Sequence, residues 1–239
     1  MAGFFYNLGR MVGPKLRQAN WVVNSVTGTE EDAVRAEYAV GVDLARAYLQ
    51  QAEVDTDPAV QGLLDDIGYR LAACLLGPKR QFHFRCLRAN EYNAVALPGG
   101  FIFIMRPLLE LCDRNRDEVA FILGHEMAHV VKRHAIERLA ASSLISTAVK
   151  RIPVGGVLAA PIIHTATALL SQGYSQDQEL EADALGAKLA RAGGFDPAAA
   201  PRALNRLRTI PTEAWTLSPY LSSHPPIDVR IRKLSGDRS

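Results

Sequence analysis

Cysteine is scarce in this chain, and its spacing excludes two kinds of stabilisation. The three cysteines, Cys74, Cys86 and Cys112, are far apart and form no C-x-x-C pair. An odd number of isolated thiols fits neither a disulfide framework nor a site built from thiolate ligands. A reducing compartment is the simplest setting, and we expect a cytoplasmic location.

An excess of charge of either sign is also missing. The 27 Lys and Arg residues face 25 Asp and Glu residues, for a formal net charge of +2. A nucleic-acid-binding protein typically gathers basic residues into a patch or stripe, whereas here they are scattered. The composition therefore argues against DNA or RNA as a partner. With 48% hydrophobic residues, the chain can bury a sizeable core.

Long apolar runs are rare too, and we predict no transmembrane span. Residues 1–21 mix apolar and basic side chains and lack the apolar core of a signal peptide. They suit peripheral contact with a membrane surface, although packing on the parent domain is the favoured interpretation. Residues 153–170 approach the length of a span but contain Pro161 and His164. Because this segment separates two polar clusters assigned below to one site, we expect a hairpin there and not a single crossing.

The apolar periodicity predicts a mainly helical α+β fold with one small sheet. Strands are expected over residues 81–87, 93–97 and 101–105. Helices are expected over residues 30–52, 58–76 and 113–142, from Ser175 to the glycines at 193–194, from residue 196, and from residue 227 with Ile227, Ile231 and Leu234 on one side. Since there is no internal repeat or long linker, we predict an N-terminal extension (1–29) followed by a single domain (30–239).

The segment GHEMAH (124–129) carries the first candidate site residues. His125 and His129 are four residues apart on a predicted helix, so both imidazoles can reach one metal ion. Glu126 lies about 100° around the helix from His125, where it can reach a metal-bound water. The alternative is a pair of hydrogen-bonded core histidines, but burying such groups without partners would cost several kcal/mol.

A zinc site needs a third protein ligand. The motif H-E-x-x-H-x-x-G-x-x-H is excluded, because Lys132 and Ala135 occupy its Gly and His positions. His134 is one residue out of step with that motif. Glu137 lies about 12 Å from His129 along the same predicted helix, too far to share the ion. The third ligand must come from another part of the chain.

The acidic cluster QELEAD (178–183) offers that ligand. Glu179 and Asp183 are four residues apart and project from one helix face, so that a second helix could bring Glu179 to the metal. Asp183 could then accept the other ring N–H of a ligand histidine and fix its tautomer. Glu181 is expected to point elsewhere. The alternative is an exposed charged helix face, which the neighbouring H-E-x-x-H motif disfavours.

Four motifs in order, NAVALPGG, LGHEMAHVVKRH, SQDQELEADALG and SSHPPIDVRI, resemble the gluzincin metallopeptidases of the CAAX-prenyl-protease and HtpX-like family (metallopeptidase family forty-eight). The resemblance runs from about Glu30 to Leu234. It implies a zincin-like metalloprotease domain with the small sheet beside the H-E-x-x-H helix, and one Zn²⁺ per chain. It implies the following roles: zinc ligands His125, His129 and Glu179, catalytic base Glu126, supporting residue Asp183, substrate-cleft residues Asn93, Ala94, Val95 and Ala96, and His224 over the cleft.

The sequence therefore predicts a zinc metalloendopeptidase, with protein quality control as its candidate role. Glu126 would take a proton from the metal-activated water that attacks the peptide carbonyl. An extended polypeptide could add to the edge of the sheet near NAVAL through backbone hydrogen bonds. The alternative is a metal-stabilised, chaperone-like module that holds unfolded chains without cutting them.

His224 yields the first prediction. Pro225 and Pro226 restrict the backbone after it, so its side-chain direction should be well defined. If His224 donates a hydrogen bond to the developing oxyanion, His224→Ala should slow turnover by about 10²–10³-fold with zinc retained. If it instead occupies the fourth zinc position at rest, basal activity should rise. Turnover and zinc content of the variant check both roles, and wild-type values for both quantities would exclude them.

Overall fold

The computed structural model describes residues 29–77, 79–141, 173–210 and 226–236. Residues 1–28, residues 153–170 and His224 lie outside these ranges. Within them, no helix combines the length and the apolarity that a membrane crossing requires. The elements in chain order are α1 (Glu30–Leu49), β1 (Glu53–Val54), α2 (Pro58–Ala72), β2 (His83–Arg88), β3 (Ala94–Leu97), a 3₁₀ turn (Pro98–Gly100), β4 (Phe101–Met105), α3 (Arg106–Leu111), α4 (Arg116–Val131), α5 (His134–Ala141), α6 (Gln176–Ala192), α7 (Ala199–Arg208) and α8 (Ile227–Gly236).

The first two helices begin where the sequence predicts and end earlier. Thr29 caps α1 in a reciprocal capping box, and Asp57 caps α2. The prediction that the first helix runs to residue 52 is wrong, because the chain leaves it in time for Glu53 and Val54 to pair with Arg88 and Leu87 of β2. The second helix likewise ends at Ala72 and not at residue 76.

The four strands form one sheet in the order β1-β2-β4-β3. β2 and β4 run parallel, while β1 and β3 run antiparallel to their neighbours. The turn between β3 and β4 has Gly99 at φ 78°, a left-handed conformation that glycine adopts without strain. β3 therefore lies at one edge of the described sheet, antiparallel to a buried strand.

Both faces of the sheet are covered by helices, which explains the continuous apolar run of β4. Ile102 and Ile104 belong to a core that includes side chains of α2, α4 and α7. Phe103 and Met105, on the opposite face, belong to a second core with α1 and α5. Helix α4 packs against β3 on the first of these faces, which brings the GHEMAH segment to the edge of the sheet.

The predicted long helix over residues 113–142 is wrong, because it is two helices. α4 ends at Val131 and α5 begins at His134. Between them Arg133 has φ 62°, a left-handed conformation that ends the helix. Its guanidinium pairs with the buried Glu37 of α1, which also holds Arg80. This tertiary ion pair stabilises a break that no glycine or proline marks in the sequence.

Helices α4 and α6 cross at two glycines. A Cβ atom on Gly186 would lie 2.6 Å from the backbone nitrogen of His125, and one on Gly124 would lie 2.8 Å from the Gly186 carbonyl oxygen. Real side chains do not approach a backbone so closely. The missing side chains thus let the two helices lie in direct backbone contact, next to the first histidine of GHEMAH.

We predict that Gly186→Ala lowers the free energy of unfolding by about 1–3 kcal/mol, because the added methyl group forces α4 and α6 apart. The matched control is Gly62→Ala on α2, where an added Cβ meets no atom within 4 Å. That exposed helical site should instead gain about 0.5–1 kcal/mol. Urea unfolding of both variants checks the pair, and equal stability would exclude a tight crossing.

Candidate metal centre

Three side chains that sequence analysis proposed as ligands lie together in the structure. The Nε2 atoms of His125 and His129, both on α4, are 3.1 Å apart. Glu179 of α6 places Oε2 at 3.4 Å from the first of these nitrogens and Oε1 at 3.6 Å from the second. All three side chains are buried, and their donor atoms lie within 4.8 Å of one another.

The spacing of these donors fits a small tetrahedral cation. A zinc ion with ligand bonds of about 2.0–2.1 Å separates its ligand atoms by about 3.3–3.4 Å. The distances of 3.1, 3.4 and 3.6 Å between the donor atoms scatter around that value. Two imidazoles and one carboxylate are also the donors of catalytic zinc sites, which leave the fourth position open. The residues present therefore fit the ion.

His125 is oriented by a carboxylate, and that carboxylate is held by an arginine. Nδ1 of His125 lies 2.9 Å from Oδ1 of Asp183. Arg230 of α8, fully buried, donates from Nε to Oδ2 and from Nη2 to Oδ1 of Asp183, each at 2.7 Å. When Nδ1 donates to Asp183, the lone pair of Nε2 faces the other two candidate ligands.

Neighbouring charges determine the ionisation of Asp183 and His125. Burial alone would raise the pKa of Asp183, but Arg230 and His125 lower it to about 2, so Asp183 is a carboxylate at neutral pH. Burial would lower the pKa of His125, but hydrogen bonds with Asp183 and Glu179 raise it to about 9. A cation therefore competes with a proton at His125, and metal binding should tighten as the pH rises.

Arg230 is a residue that sequence analysis missed, although a signal was present. It lies three residues after Ile227 and one before Ile231, on the side of α8 predicted to be buried. A charged residue on a buried helix face requires a buried partner of opposite charge. That requirement points to an acidic residue in the core, which here is Asp183.

Glu126 lies beside the three candidate ligands and against the edge strand. Its side chain is buried, and the backbone N–H of Ala96 in β3 donates to its carboxylate. Burial raises the pKa of Glu126 to about 7, against opposing effects that include the charge of His125. A carboxyl group in this range can both accept and return a proton near neutral pH.

The register of β3 shows which backbone groups face the site. Asn93 accepts a hydrogen bond from Met105, so the residues directed towards β4 are Asn93, Val95 and Leu97. The backbone groups of Ala94 and Ala96 alternate with them and face away from β4. Of the four predicted cleft residues, these two alanines therefore have backbone groups that face the edge of the described sheet. The N–H of Ala96 donates to Glu126.

His129 has neighbours that the sequence did not reveal. Tyr174 stacks on its ring, with centroids 4.1 Å apart and an interplanar angle of 18°. The Arg138 guanidinium lies 4.9 Å from the centroid of the Tyr174 ring. Burial raises the pKa of the Tyr174 hydroxyl, and the charge of Glu126 raises it further. Nothing in the residue pattern singled out Tyr174, since its place depends on how the chain enters α6.

Glu181 points elsewhere than the three donor atoms, as expected, and contacts His134. His134, set aside as a ligand, places Nδ1 at 2.9 Å from Nδ1 of His129. Nε2 of His134 lies 3.1 Å from Oε2 of Glu181, whose Oε1 lies 2.6 Å from Nζ of Lys132. Glu181 does not reach the three donor atoms, but it is linked to one of the histidines through His134.

Comparison with known proteins identifies the family to which the chain belongs. Residues 58–238 match the model of peptidase family M48. The chain belongs to this family. It is similar to the mitochondrial metalloendopeptidase OMA1 of Schizosaccharomyces pombe, with 32% identity over 158 residues, covering 64% of this chain and 46% of the relative. It is also similar to the beta-barrel assembly-enhancing protease of Yersinia pestis, with 28% identity over 213 residues, covering 83% of this chain and 43% of the relative.

These matches confirm the family and the mainly helical α+β fold with a small sheet beside the H-E-x-x-H helix. The chain spans less than half the length of the relatives named here. The narrower likeness to CAAX prenyl proteases and HtpX stays a prediction, as do the domain limits (1–29 and 30–239). His224 lies outside the described residues, so its position over the cleft also stays a prediction.

We predict that Asp183→Asn weakens zinc affinity by about 10–100-fold, because the amide orients His125 less well. It should also cost about 3–5 kcal/mol of stability, because the charge of Arg230 stays buried beside a neutral group. Asp228→Asn is the matched control, since Asp228 forms an exposed pair with Arg208 at 3.4 Å. Zinc competition with a chelator and urea unfolding measure both effects, and equal results in the two variants would contradict the assignment.

Proposed function

We propose that this member of family M48 is a zinc-dependent endopeptidase that cleaves unfolded polypeptides. The observation that carries the proposal is the buried cluster of His125, His129 and Glu179 beside Glu126, at the edge of the sheet. Membership of a peptidase family supports it. Three metal donors, a proton-accepting carboxyl and a strand edge are the parts that peptide hydrolysis needs in one place.

The metal would be one Zn²⁺ per chain, held by His125, His129 and Glu179. When bound, zinc supplies Lewis acidity, which lowers the pKa of water to about 7 and polarises a carbonyl group. The two histidines lie on one helix and the carboxylate on another. The tight crossing of α4 and α6 therefore governs how well the three donors are arranged for the ion.

Glu126 would act as the general base and then as the acid. Its carboxylate takes a proton from the attacking water and passes it to the nitrogen of the leaving amine. The Ala96 N–H holds the carboxylate at the edge of β3, where the scissile bond would lie. The pKa of about 7 that burial gives Glu126 suits both transfers.

The substrate would bind as an extended strand along β3. The backbone groups of Ala94 and the carbonyl of Ala96 are directed away from β4, where they can pair with a peptide. Backbone pairing tolerates many side chains, which suits a peptidase acting on unfolded chains. Binding in this position would place the peptide next to Glu126, because Ala96 belongs to the edge strand and its N–H donates to that residue.

A role in protein quality control fits the name of one relative, which refers to the assembly of other proteins. One is called a beta-barrel assembly-enhancing protease and another a mitochondrial metalloendopeptidase. We propose that this chain removes polypeptides that have failed to fold or assemble. A cytoplasmic location stays the expectation from sequence, and peripheral membrane contact through residues 1–21 stays the alternative to their packing on the domain.

Glu126→Gln should abolish cleavage of a permanently unfolded polypeptide, with a fall in turnover of about 10²–10⁴-fold, because an amide cannot accept the proton. Zinc content should stay at the wild-type level. The matched control is Glu53→Gln, an exposed carboxylate on β1, which should cleave normally. Chelation should also stop cleavage, and added zinc should restore it.

Three outcomes separate the candidates. Loss of cleavage in Glu126→Gln and after chelation supports the peptidase. If the zinc-loaded wild type binds unfolded chains but never cuts them, the chaperone-like module replaces it. Undiminished cleavage by Glu126→Gln would mean that another residue accepts the proton.

A further inference from the structure

The second candidate ligand histidine has a hydrogen-bonded chain of its own. Nδ1 of His129 faces Nδ1 of His134 at 2.9 Å, and Nε2 of His134 faces Oε2 of Glu181 at 3.1 Å. Lys132 completes the chain through its contact of 2.6 Å with Glu181. His134 is 2% exposed, whereas the Glu181 side chain is 45% exposed. This hydrogen-bonded chain therefore runs from the buried candidate metal centre to the protein surface.

The break between α4 and α5 makes this contact geometrically feasible. On one continuous helix, His134 would lie about 140° around the axis and about 7.5 Å along it from His129. The two rings would then face different directions. With Arg133 in the left-handed conformation and paired with Glu37, the ring of His134 lies 5.0 Å from that of His129, centroid to centroid.

The positions of the protons follow from the acceptors. A neutral imidazole carries one N–H and one lone pair. The Glu181 carboxylate accepts only, so it favours the tautomer of His134 with the proton on Nε2. Nδ1 of His134 then has a lone pair and accepts a hydrogen bond from Nδ1–H of His129. The lone pair of His129 is left on Nε2, the atom that faces His125 and Glu179.

The reverse arrangement would disable the site. If His134 carried its proton on Nδ1, it would donate to His129 and draw the proton of that ring to Nε2. Nε2 of His129 could not then bind a cation, and a lone pair on Nε2 of His134 would face the Glu181 carboxylate. Both consequences are unfavourable. Metal binding at Nε2 of His129 and the carboxylate of Glu181 therefore favour the same tautomers of the two histidines.

We propose that His134 and Glu181 are positioning residues, which hold His129 in the tautomer that can bind zinc. The proposal rests on the metal site of the proposed function and adds a second support to it. The ligand histidines are thus served by two carboxylates of α6: Asp183 contacts His125 directly, and Glu181 reaches His129 through an imidazole. A cation holds each carboxylate, Arg230 in one case and Lys132 in the other.

Nitrogen-15 NMR of the imidazole rings tests the tautomers without any assay of activity. In the zinc-loaded wild type, His134 should carry its proton on Nε2. In the metal-free protein at neutral pH, the proton of His129 should lie on Nδ1, and Glu181→Ala should convert this into a mixture of tautomers. A proton on Nδ1 of His134 in the zinc-loaded protein would overturn the proposal.

Zinc affinity, measured by competition with a chelator, tests the consequence. His134→Leu, which removes the acceptor, should bind zinc about 10–100-fold more weakly. His134→Asn should recover part of this loss, because its side-chain oxygen can accept a hydrogen bond near the position of Nδ1. Glu181→Ala should weaken binding by about 10-fold. If His134→Leu fails to fold, the exposed Glu181 still provides the test.

The matched control is Glu137→Ala. Glu137 also links α5 to α6, through a contact of 3.1 Å with Nε2 of Gln178, but it is not part of the chain to His129. Its zinc affinity should equal that of the wild type. Equal affinity in Glu181→Ala and Glu137→Ala would overturn the proposal even if Glu126→Gln abolishes cleavage. If the wild type binds zinc without cleaving peptides, the affinities and tautomers still test the two positioning residues.

Discussion

The crossing of α4 and α6 at Gly124 and Gly186 is the constraint on which the site depends. Helix axes normally lie about 8–10 Å apart, separated by side chains. Here Gly124 and Gly186 have no side chains, so the two backbones are in direct contact. A Cβ added to Gly186 would lie only 2.6 Å from the backbone nitrogen of His125. Short carboxylate side chains of α6 can therefore reach imidazoles of α4. A wider crossing would put Glu179 and Asp183 out of reach together, since both lie on the same helix face.

Bringing these helices together concentrates buried charge, and the surrounding elements compensate it. Arg230 from α8 neutralises Asp183, and the Ala96 N–H from β3 donates to Glu126. A buried carboxylate is tolerated only with such partners, because the core does not solvate it. The sheet edge and α8 thus stabilise the buried charges of the candidate site, although neither supplies one of its three candidate metal ligands.

The parts of the site that follow from local geometry could be predicted, and those that depend on tertiary contacts could not. The spacing of His125 and His129 is a helical repeat. The four-residue spacing of Glu179 and Asp183 predicts that both lie on one helix face, and the family resemblance implies Glu179 as the third ligand. The break after α4 was missed because Lys132 and Arg133 are good helix formers, with no glycine or proline beside them. The opposing force is an ion pair between Arg133 and Glu37, 96 residues apart along the chain.

That ion pair extends the candidate site beyond the residues that match the family model. The family match begins at residue 58, whereas α1 spans Glu30–Leu49. Yet Glu37 of α1 holds Arg133 in the conformation that turns His134 towards His129. Arg80 also pairs with Glu37, so the negative charge of this buried carboxylate is balanced by two arginines. The first helix is therefore a structural part of the candidate metal centre, and its contribution acts through one buried carboxylate, which holds the arginine that precedes His134.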